Sequence, residues 1–504
     1  MRALKPKKPR KIAPLVLSAR LNERFTLQAR PDGSLAAVFD GYTVELGKFS
    51  PSALKRARDL RAGLPLHSFS PEGGSVDREI DLLVRRLARQ GLLEYRLARV
   101  RGDHDIIVIE PQTADYWPQA PKLGATDTVV LSRFAYLRRR GSDMVLESPR
   151  ANALLRIADP RIAAALTALS SPHKVGKLRR QDGFLGGVLG DELIALLLDS
   201  QILFKIGTAG DKGLRPTEGD EHLVVWDFHD LLFHVQSTEG RQANPIGGRY
   251  PHVDVLAPPP AVRPSWPGTA IDLNRFSAEK TDSMSPFAKL LRERQSIREF
   301  DHQKPIALAE LARFLDCAAR VQSKWTSPLD FGDGSFGPEI DYTTRPYPSA
   351  GSEYELELYL AVTNCEGLEP GFYHYDADRH ALVLIETHGR ELDAMIGAAT
   401  YAMDAPDPPQ ILITIAARFN RLSWKYSAIA YSLILRDVGV LLQTLYLTAT
   451  DMGLGGCAVG TSNIDLFAKT TGVGFHVEGP VGQFALGRGR ATGAAASYFG
   501  GRAV

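Results

Sequence analysis

Residues 423–460 read SWKYSAIAYSLILRDVGVLLQTLYLTATDMGLGGCAVG and contain the longest apolar stretch of the chain, Ala428 to Thr450. This stretch is long enough to span a bilayer as a helix. Arg436 and Asp437 lie near its centre, and holding both charges in the middle of a membrane would cost roughly 5–7 kcal/mol. The stretch therefore predicts a buried core helix that ends at Gly453, and we expect no transmembrane segment.

Both ends of this predicted helix carry residues that suit chemistry. Lys425 and Tyr426 open the helix, and a lysine beside an apolar core is a candidate for proton transfer because burial lowers the pKa of lysine. An ordinary amphipathic helix start is the alternative. Beyond the helix, MGLGGCAVG holds four glycines, among them Gly455 and Gly456. Glycines at such a turn would let the backbone lie against a flat ligand ring.

Two basic segments of the second half suit a phosphate. Residues 292–300 read RERQSIREF and place Arg294, Ser296 and Arg298 close together, at the end of a helix that Ser285 would cap. The planar guanidinium of arginine matches phosphate oxygens. The segment GRGR near the C-terminus adds Arg488 and Arg490. Each segment alone is equally typical of a charged surface.

A turn of small residues precedes one predicted strand. Residues 345–362 read RPYPSAGSEYELELYLAV, with Pro348, Ser349, Ala350 and Gly351 ahead of the apolar run. Small side chains at this point would let backbone amides approach a flat ligand. PQILITIAARF, the hairpin GFYHYDADRHALVLI and GPVGQFALGRGR are further predicted strands. Helices and strands mix, so we predict one α+β domain over residues 270–504.

The first half of the chain contains one pattern twice. RFTLQARPDGSLAAVF and RFAYLRRRGSDMVLES are both hairpins, and each is followed by two helices and a closing strand. Gly33 corresponds to Gly141 and Leu92 to Ile202, at offsets of 108 to 110 residues. We predict two winged-helix-like units, 1–115 and 125–210, then a linker over 211–269. Because neither final helix is strongly basic, a peptide-holding or structural role is favoured over DNA binding.

Composition excludes several classes of protein. Of 504 residues, 44% are hydrophobic and 23% charged, which excludes disorder for most of the chain. A net charge of +2 gives no field that would attract nucleic acid or an anionic membrane, so we expect neither as a partner. Three scattered cysteines exclude a disulfide framework and a cysteine zinc site, and favour a cytoplasmic location. His229 and His234 lack further ligands, so we predict no metal.

The motifs of the second half, taken in order, resemble the FMN-dependent nitroreductase fold. R-x-S-x-R, then P-S-x-G before a strand, then a long helix ending in G-L-G, then a basic G-R turn follow that fold's pattern. Residues 345–362, GFYHYD and residues 424–460 resemble more narrowly the SagB-type dehydrogenases, which include the microcin B dehydrogenase and the cyanobactin oxidases. The resemblance covers roughly residues 220–490. Cyanobactin oxidases carry paired winged-helix-like peptide clamps, as the repeated pattern would provide.

The resemblance implies a role for each matching residue. Lys425 and Tyr426 match the family's catalytic pair, and which of them is the base stays open. The residues that match FMN-binding positions are the helix-start motif Arg294, Gln295, Ser296 and Arg298, the loop Pro348, Ser349, Ala350 and Gly351, the turn Gly455 and Gly456, and Arg488 and Arg490. Gln295 stands where many relatives have arginine. Ser352 and Glu353 replace small or apolar residues, which would alter the substrate side.

The implied activity is oxidation of thiazoline or oxazoline rings to thiazole or oxazole in a ribosomally made peptide. The implied partners are the precursor peptide, with its leader and its azoline-containing core, the cyclodehydratase subunits of the same pathway, and a second copy of the chain. Two alternatives stay open at this level. One is a general flavin reductase of quinones or nitro compounds, and the other is a non-catalytic scaffold of a peptide-modifying complex.

Overall fold

The computed structural model divides into two compact units, Met1–Ala243 and Asn244–Val504. It describes residues 15–39, 42–69, 71–99, 104–113, 115–119, 121–180, 190–206, 218–238, 241, 250, 252–276 and 284–490. Helices and strands are mixed in both units, as the α+β prediction requires. The finer boundaries expected from the sequence stay predictions.

The first unit is built from thirteen strands and six helices among its described residues. The strands are β1 Leu15–Leu21, β2 Thr26–Ala29, β3 Ser34–Phe39, β4 Tyr42–Lys48, β5 Leu64–Pro65, β6 Leu93–Arg99, β7 Asp105–Pro111, β8 Thr128–Leu131, β9 Tyr136–Arg140, β10 Asp143–Glu147, β11 Ala153–Ile157, β12 His173–Lys174 and β13 Leu203–Ile206. The helices are α1 Pro51–Ala57, α2 Ser75–Arg89, α3 Arg161–Ala168, α4 Val175–Leu178, α5 Asp191–Asp199 and α6 Phe228–Gln236.

The repeated sequence pattern corresponds to a repeated strand topology. In the first copy β1 lies between β5 and β6, and in the second copy β8 lies between β12 and β13. The meander β2-β3-β4 likewise corresponds to β9-β10-β11. The first hairpin of each copy turns at a glycine with positive φ, Gly33 at +80° and Gly141 at +60°. Both predicted hairpins are therefore present, while the winged-helix assignment stays a prediction.

Strand β7 joins the two copies into one sheet. It pairs with β6 of the first copy and with β11 of the second, which gives the order β5-β1-β6-β7-β11-β10-β9. Ile107 and Ile109 of β7 are fully buried, in a core that includes Leu83 of α2 and Leu196 of α5. Because apolar residues of both copies share this core, the copies fold as parts of one unit.

The second unit contains six helices and ten strands among its described residues. The helices are α7 Pro286–Glu293, α8 Leu308–Ala319, α9 Gly389–Ala402, α10 Phe419–Ser423, α11 Ala430–Asp451 and α12 Ile464–Thr471. The strands are β14 Ile306–Ala307, β15 Ser323–Asp330, β16 Phe336–Thr344, β17 Leu356–Val362, β18 Cys365–Glu366, β19 Gly371–Asp376, β20 Ala381–Ile385, β21 Ile411–Arg418, β22 Gly455–Val459 and β23 Glu478–Gly487.

A six-stranded antiparallel sheet forms the centre of this unit, in the order β20-β19-β17-β21-β23-β22. Its inner strands β17 and β21 are buried along almost their whole length. Strands covered on both faces consist mostly of apolar residues, which is why both were recognisable in the sequence. The separate hairpin β15-β16, by contrast, is largely exposed and was not predicted.

The long helix α11 ends where the sequence predicts. Gly453 has a φ of +67°. Its N–H donates to the carbonyl of Thr450 at 3.1 Å, and the N–H of Leu454 donates to the carbonyl of Ala449 at 2.8 Å. This pair of bonds is the Schellman motif, which a left-handed glycine closes without steric cost.

The start of α11 differs from the prediction. Lys425 and Tyr426 lie in the turn between α10 and α11 and do not open the long helix, which begins at Ala430. Ala428 has a left-handed backbone, with a φ of +61°, and this interrupts helical geometry between the two segments. The pair therefore lies on an irregular loop.

Two motif segments also have a different local structure from the one expected. The R-x-S-x-R segment is not a helix start, because α7 ends at Glu293 and Arg294 has a non-helical backbone, with φ -54° and ψ 122°. Gly455 and Gly456 are not in a turn and form the beginning of strand β22. The predicted cap of α7 is confirmed, since the Ser285 hydroxyl accepts from the N–H of Ala288 at 3.2 Å.

Helix α11 is long and apolar enough to cross a membrane by length and composition, a test that core helices of soluble proteins also pass. Asp437 in its first half is 7% exposed. That carboxylate accepts hydrogen bonds from the loop ahead of β17. The first half of the helix is thus hydrogen-bonded to another segment of the same unit. The absence of a transmembrane segment stays a prediction.

Candidate functional site

The Lys425–Tyr426 turn lies against the small-residue loop that precedes β17. The ammonium of Lys425 donates to the carbonyl of Gly351 at 3.0 Å. A Cβ atom on Gly351 would be 2.6 Å from the hydroxyl oxygen of Tyr426 and 2.7 Å from Nζ of Lys425. Glycine at this position is thus what lets both side chains reach the loop backbone. The structure brings together two predicted segments that are more than seventy residues apart.

A buried carboxylate also contacts Lys425. Glu353 is 4% exposed, and its Oε1 lies 3.1 Å from Nζ of Lys425. Its Oε2 lies 3.2 Å from Nε of Arg421 in α10. The side chain of Lys425 is 33% exposed. The expected burial of this lysine beside an apolar core is therefore absent, and the lysine is held as an ion-paired ammonium at the surface.

The backbone around this contact is strained. Ser352 and Tyr354 have φ values of +60° and +46°, and Ala428, after the Lys425–Tyr426 turn, has a φ of +61°. A left-handed conformation costs a residue with a side chain of the order of 1–3 kcal/mol, and it persists only where other contacts impose it. Left-handed residues therefore lie on both sides of the same contact.

Ser349 and Ala350 hold the loop to α11. The carboxylate of Asp437 accepts from the Ser349 hydroxyl at 2.9 Å and from the Ala350 N–H at 2.8 Å. The Ser349 hydroxyl also accepts from the N–H of Tyr354 at 3.0 Å and lies 3.2 Å from Oε2 of Glu355. These two predicted binding residues therefore shape the loop. Gly351, which is exposed, faces the Lys425–Tyr426 pair.

Glu355 is a fully buried carboxyl group beside Asp437. Its Oε1 atom has no hydrogen-bond partner. Burial, with the nearby negative charge of Asp437, raises the pKa of Glu355 to about 7. The single proton of the Ser349 hydroxyl can serve only one carboxylate. The Ser349 hydroxyl therefore lies between the two carboxyl groups, and the raised pKa of Glu355 favours its neutral form beside Asp437.

A second group of predicted residues lies near the C-terminal end of α11. The Tyr446 hydroxyl accepts from the N–H of Ala458 at 2.8 Å and is 2.8 Å from the hydroxyl of Ser296. The guanidinium of Arg294 lies 5.2 Å from the centre of the Tyr446 ring. Asp437 and Tyr446 are nine residues apart, about 14 Å along the helix axis. The predicted cofactor residues thus form two groups.

Gly455 and Gly456 belong to this second group through backbone packing. The carbonyl of Gly456 accepts from the N–H of Ile297 at 2.8 Å. A Cβ on Gly455 would lie 2.7 Å from Ile297, and one on Gly456 would lie 2.3 Å from Phe484. The side chains of Ile297 and Phe484 occupy the space that a Cβ on either glycine would need. Their contact with a cofactor stays a prediction.

The two C-terminal arginines have carboxylate partners. Arg488 donates to Glu310 at 2.7 Å, and the N–H of Ala307, together with this contact, lowers the pKa of Glu310. Arg490 lies 3.7 Å from Asp407. Arg298, by contrast, lies close to the thiol of Cys457, whose pKa is raised by burial. Pro348 and Gln295, also predicted, are exposed.

Sequence reasoning missed four residues of this site, Glu353, Glu355, Asp437 as a loop anchor, and Tyr446. Of these, Glu353 had a signal as a departure from the family pattern, and Asp437 had one as a charge inside a long apolar stretch. In the first unit, His234 is fully buried and stacks on Trp226, as expected for packing. His229 lies with Asp227 and Asp230 in a cluster that could hold a cation.

Comparison with known proteins gives two family matches. Residues 129–243 match the cyanobactin oxidase ThcOx model, and residues 291–488 match the nitroreductase family. A curated protein of Methanocaldococcus jannaschii described as a nitroreductase is 31% identical over 173 residues, which cover 34% of this chain and 76% of that protein.

The chain is similar to the E. coli microcin synthetase McbBCD complex with truncated pro-MccB17 bound, at 17% identity and a TM-score of 0.37, covering 56% of this chain and 100% of that one. It is also similar to a protein of Ralstonia eutropha JMP134 described as a nitroreductase, at 24% identity and a TM-score of 0.31, covering 42% and 87%.

The chain belongs to the nitroreductase family, whose members generally bind flavin, and it is an oxidoreductase by that membership. More particularly, it joins a cyanobactin oxidase segment to a nitroreductase domain. This confirms the resemblance to the SagB-type members of the superfamily that the sequence motifs indicated.

Proposed function

We propose that this protein is an FMN-dependent dehydrogenase that oxidises thiazoline or oxazoline rings in a ribosomally made peptide to thiazole or oxazole. One observation carries the proposal. A chain that matches both the cyanobactin oxidase and the nitroreductase families holds Lys425 and Tyr426 against the backbone of Gly351. A lysine–tyrosine pair in this setting provides the proton transfer that aromatisation of the ring needs.

The residues around Tyr446 fit an FMN phosphate. Arg294 lies half-buried over the Tyr446 ring, and no carboxylate lies within ion-pair distance of it among residues 284–490. Its charge is therefore available to an anion, whereas Arg488 and Arg490 are already paired. We assign the phosphate contact to Arg294, with Gln295 exposed beside it, and the ring contact to the backbone at Gly351.

FMN, when bound, supplies a hydride acceptor for the substrate ring. The protein must hold the ring and remove one proton from the carbon next to the one that loses hydride. The Lys425 ammonium donates to Gly351 and pairs with Glu353, so it has no lone pair to accept a proton. We assign proton removal to the Tyr426 oxygen: after its own proton has passed to solvent, the phenolate accepts the ring proton and becomes the hydroxyl again, and the adjacent Lys425 ammonium would stabilise that phenolate.

Exposed apolar side chains of the second unit support a proposal about assembly. Phe287 and Leu291 lie one turn apart on α7 and are 59% and 43% exposed. Val440 of α11 is 36% exposed. We propose that a second copy of the chain covers this surface, in a homodimer. Light scattering after size-exclusion chromatography would test this, and a monomer at micromolar concentration would contradict it.

The remaining partners are proposed from the family match of the first unit, and the location is proposed from the cysteines. The cyanobactin oxidase match lies within the first unit. We propose that this unit holds the leader of the precursor peptide or docks the cyclodehydratase. All three cysteines are unpaired, which supports a reducing, cytoplasmic location.

The test begins with an absorption spectrum of the purified protein and a mass spectrum of the released cofactor. A thiazoline-containing peptide is then incubated with the protein, and loss of two hydrogens per ring is measured by mass spectrometry. The variant Lys425→Ala with Tyr426→Phe should retain FMN and lose ring oxidation, while the control Lys304→Ala, at an exposed position, should keep both.

Three outcomes would contradict the proposal. Full ring oxidation by the double variant would refute the assignment of the pair. Fast oxidation of NADH with a quinone as acceptor, without oxidation of the peptide, would identify a general flavin reductase. A colourless protein that binds no added FMN would identify a scaffold.

A further inference from the structure

Glu353 is a buried carboxylate with no role in the family pattern. Its side chain is 3% exposed. It follows the left-handed residues Gly351 and Ser352 and precedes the left-handed Tyr354. Three left-handed backbone conformations in four residues accompany the burial of this carboxylate, which contacts the Lys425–Tyr426 turn.

The carboxylate is divided between two cations. One oxygen pairs with Arg421 at 3.2 Å and the other with Lys425 at 3.1 Å. Arg421 also donates to the backbone carbonyl of Glu353 at 2.9 Å and to the carbonyl of Asp341 at 2.5 Å. Arg421 therefore anchors both the side chain and the backbone of Glu353.

The two ion pairs have different roles: one stabilises the buried charge, and the other positions a surface lysine. A buried charge needs one well-placed partner to offset its loss of hydration. Arg421 meets that need from a side chain that is 25% exposed. The contact with Lys425 is additional, and it involves a lysine at the surface that would otherwise be free to sample other rotamers.

We propose that Glu353 is the positioning residue of the catalytic pair. It holds the ammonium of Lys425 at the Gly351 carbonyl and thereby beside the Tyr426 hydroxyl. The faces of the Tyr342 and Tyr426 rings, each 5.7 Å from Nζ, complete the surroundings of this ammonium. The proposal deepens the proposed function and rests on it for the role of the pair, but the contact itself can be tested without any substrate.

The test measures the rate at which an amine-reactive ester labels Lys425 in the full-length protein, mapped by mass spectrometry. Removing a charged hydrogen-bond partner changes the equilibrium between the bound and the released lysine side chain about tenfold. Glu353→Gln should therefore raise the labelling rate of Lys425 about tenfold. Glu353→Asp keeps the charge for Arg421 but shortens the reach to Lys425, so it should raise the rate in the same direction and serves if the glutamine variant does not fold.

The control is Glu339→Gln, at an exposed glutamate of β16, which should leave the labelling of Lys425 unchanged. An unchanged labelling rate in a folded Glu353 variant would overturn the proposal, whatever the enzyme oxidises. With a thiazoline-containing peptide, both Glu353 variants should lower kcat at least tenfold with little change in KM. They should have no further effect in a Lys425→Ala background, because Glu353 acts through Lys425. An equal loss in that background would also overturn it.

Discussion

Replacing Glu355 by glutamine should change how the stability of the protein depends on pH. The Glu355 side chain is fully buried next to Asp437, and its pKa is raised to about 7 from an ordinary value of 4.5. Between these values the folded chain keeps a proton that the unfolded chain releases. The free energy of unfolding of the native protein therefore falls as pH rises through this window, and the loss is complete above about pH 7.

The magnitude follows from the two pKa values. A difference of about 2.5 units corresponds to roughly 3.4 kcal/mol in total. Of this, about 2.5 kcal/mol develops between pH 5 and pH 8. Glutamine has a similar shape and does not titrate. The free energy of unfolding of Glu355→Gln, minus that of the native protein, should therefore increase by about 2.5 kcal/mol over this range.

Urea unfolding followed by tryptophan fluorescence and circular dichroism, at several pH values between about 5 and 8, would measure this difference. Glu366→Gln, at an exposed glutamate of β18, is the control and should give a curve parallel to that of the native protein. If the curve for Glu355→Gln were also parallel to that of the native protein, the buried and protonated state of Glu355 would be refuted.

Two further predictions concern the residues around Tyr446. Gly456→Ala would place a Cβ 2.3 Å from Phe484 and should cost about 1–3 kcal/mol in thermal or urea unfolding, whereas Gly460→Ala, where no atom lies within 4 Å, should be within about 0.5 kcal/mol of the native protein. Equal stabilities would contradict the packing described for β22. Tyr446→Phe removes the hydroxyl that bonds Ser296 and a backbone N–H, so FMN measured by fluorescence titration should bind about five- to tenfold more weakly. Unchanged FMN binding would show that the Tyr446 hydroxyl does not contribute to the phosphate site.

The elements with strong local signals were predicted well. Strands β17 and β21 are predominantly apolar runs, and both early hairpins turn at a glycine, Gly33 or Gly141, that tolerates positive φ. The end of α11 at Gly453 is equally local. Such features depend on a few neighbouring residues, and the sequence displays them directly.

The exposed hairpin β15-β16 and the start of α11 were not predictable in the same way. The hairpin buries little, so its sequence lacks the alternation of apolar and polar residues that marks a half-buried strand. The apolar pattern of α11 continues back through Ala428, where the left-handed backbone, and not composition, ends the helix.

The sequence by itself determined the class of the protein, its repeated first half and the candidate pair Lys425 and Tyr426. Only the tertiary structure decided that Glu353 and Glu355 are buried, since an acidic residue in a sequence is usually exposed. The tertiary structure also decided that Glu353 pairs with Lys425 and that Glu355 lies near Asp437, each partner being more than seventy residues away in the sequence. The physical reason is that burial and ion pairing depend on how distant segments pack, whereas hydrophobic periodicity and turn signals act between near neighbours.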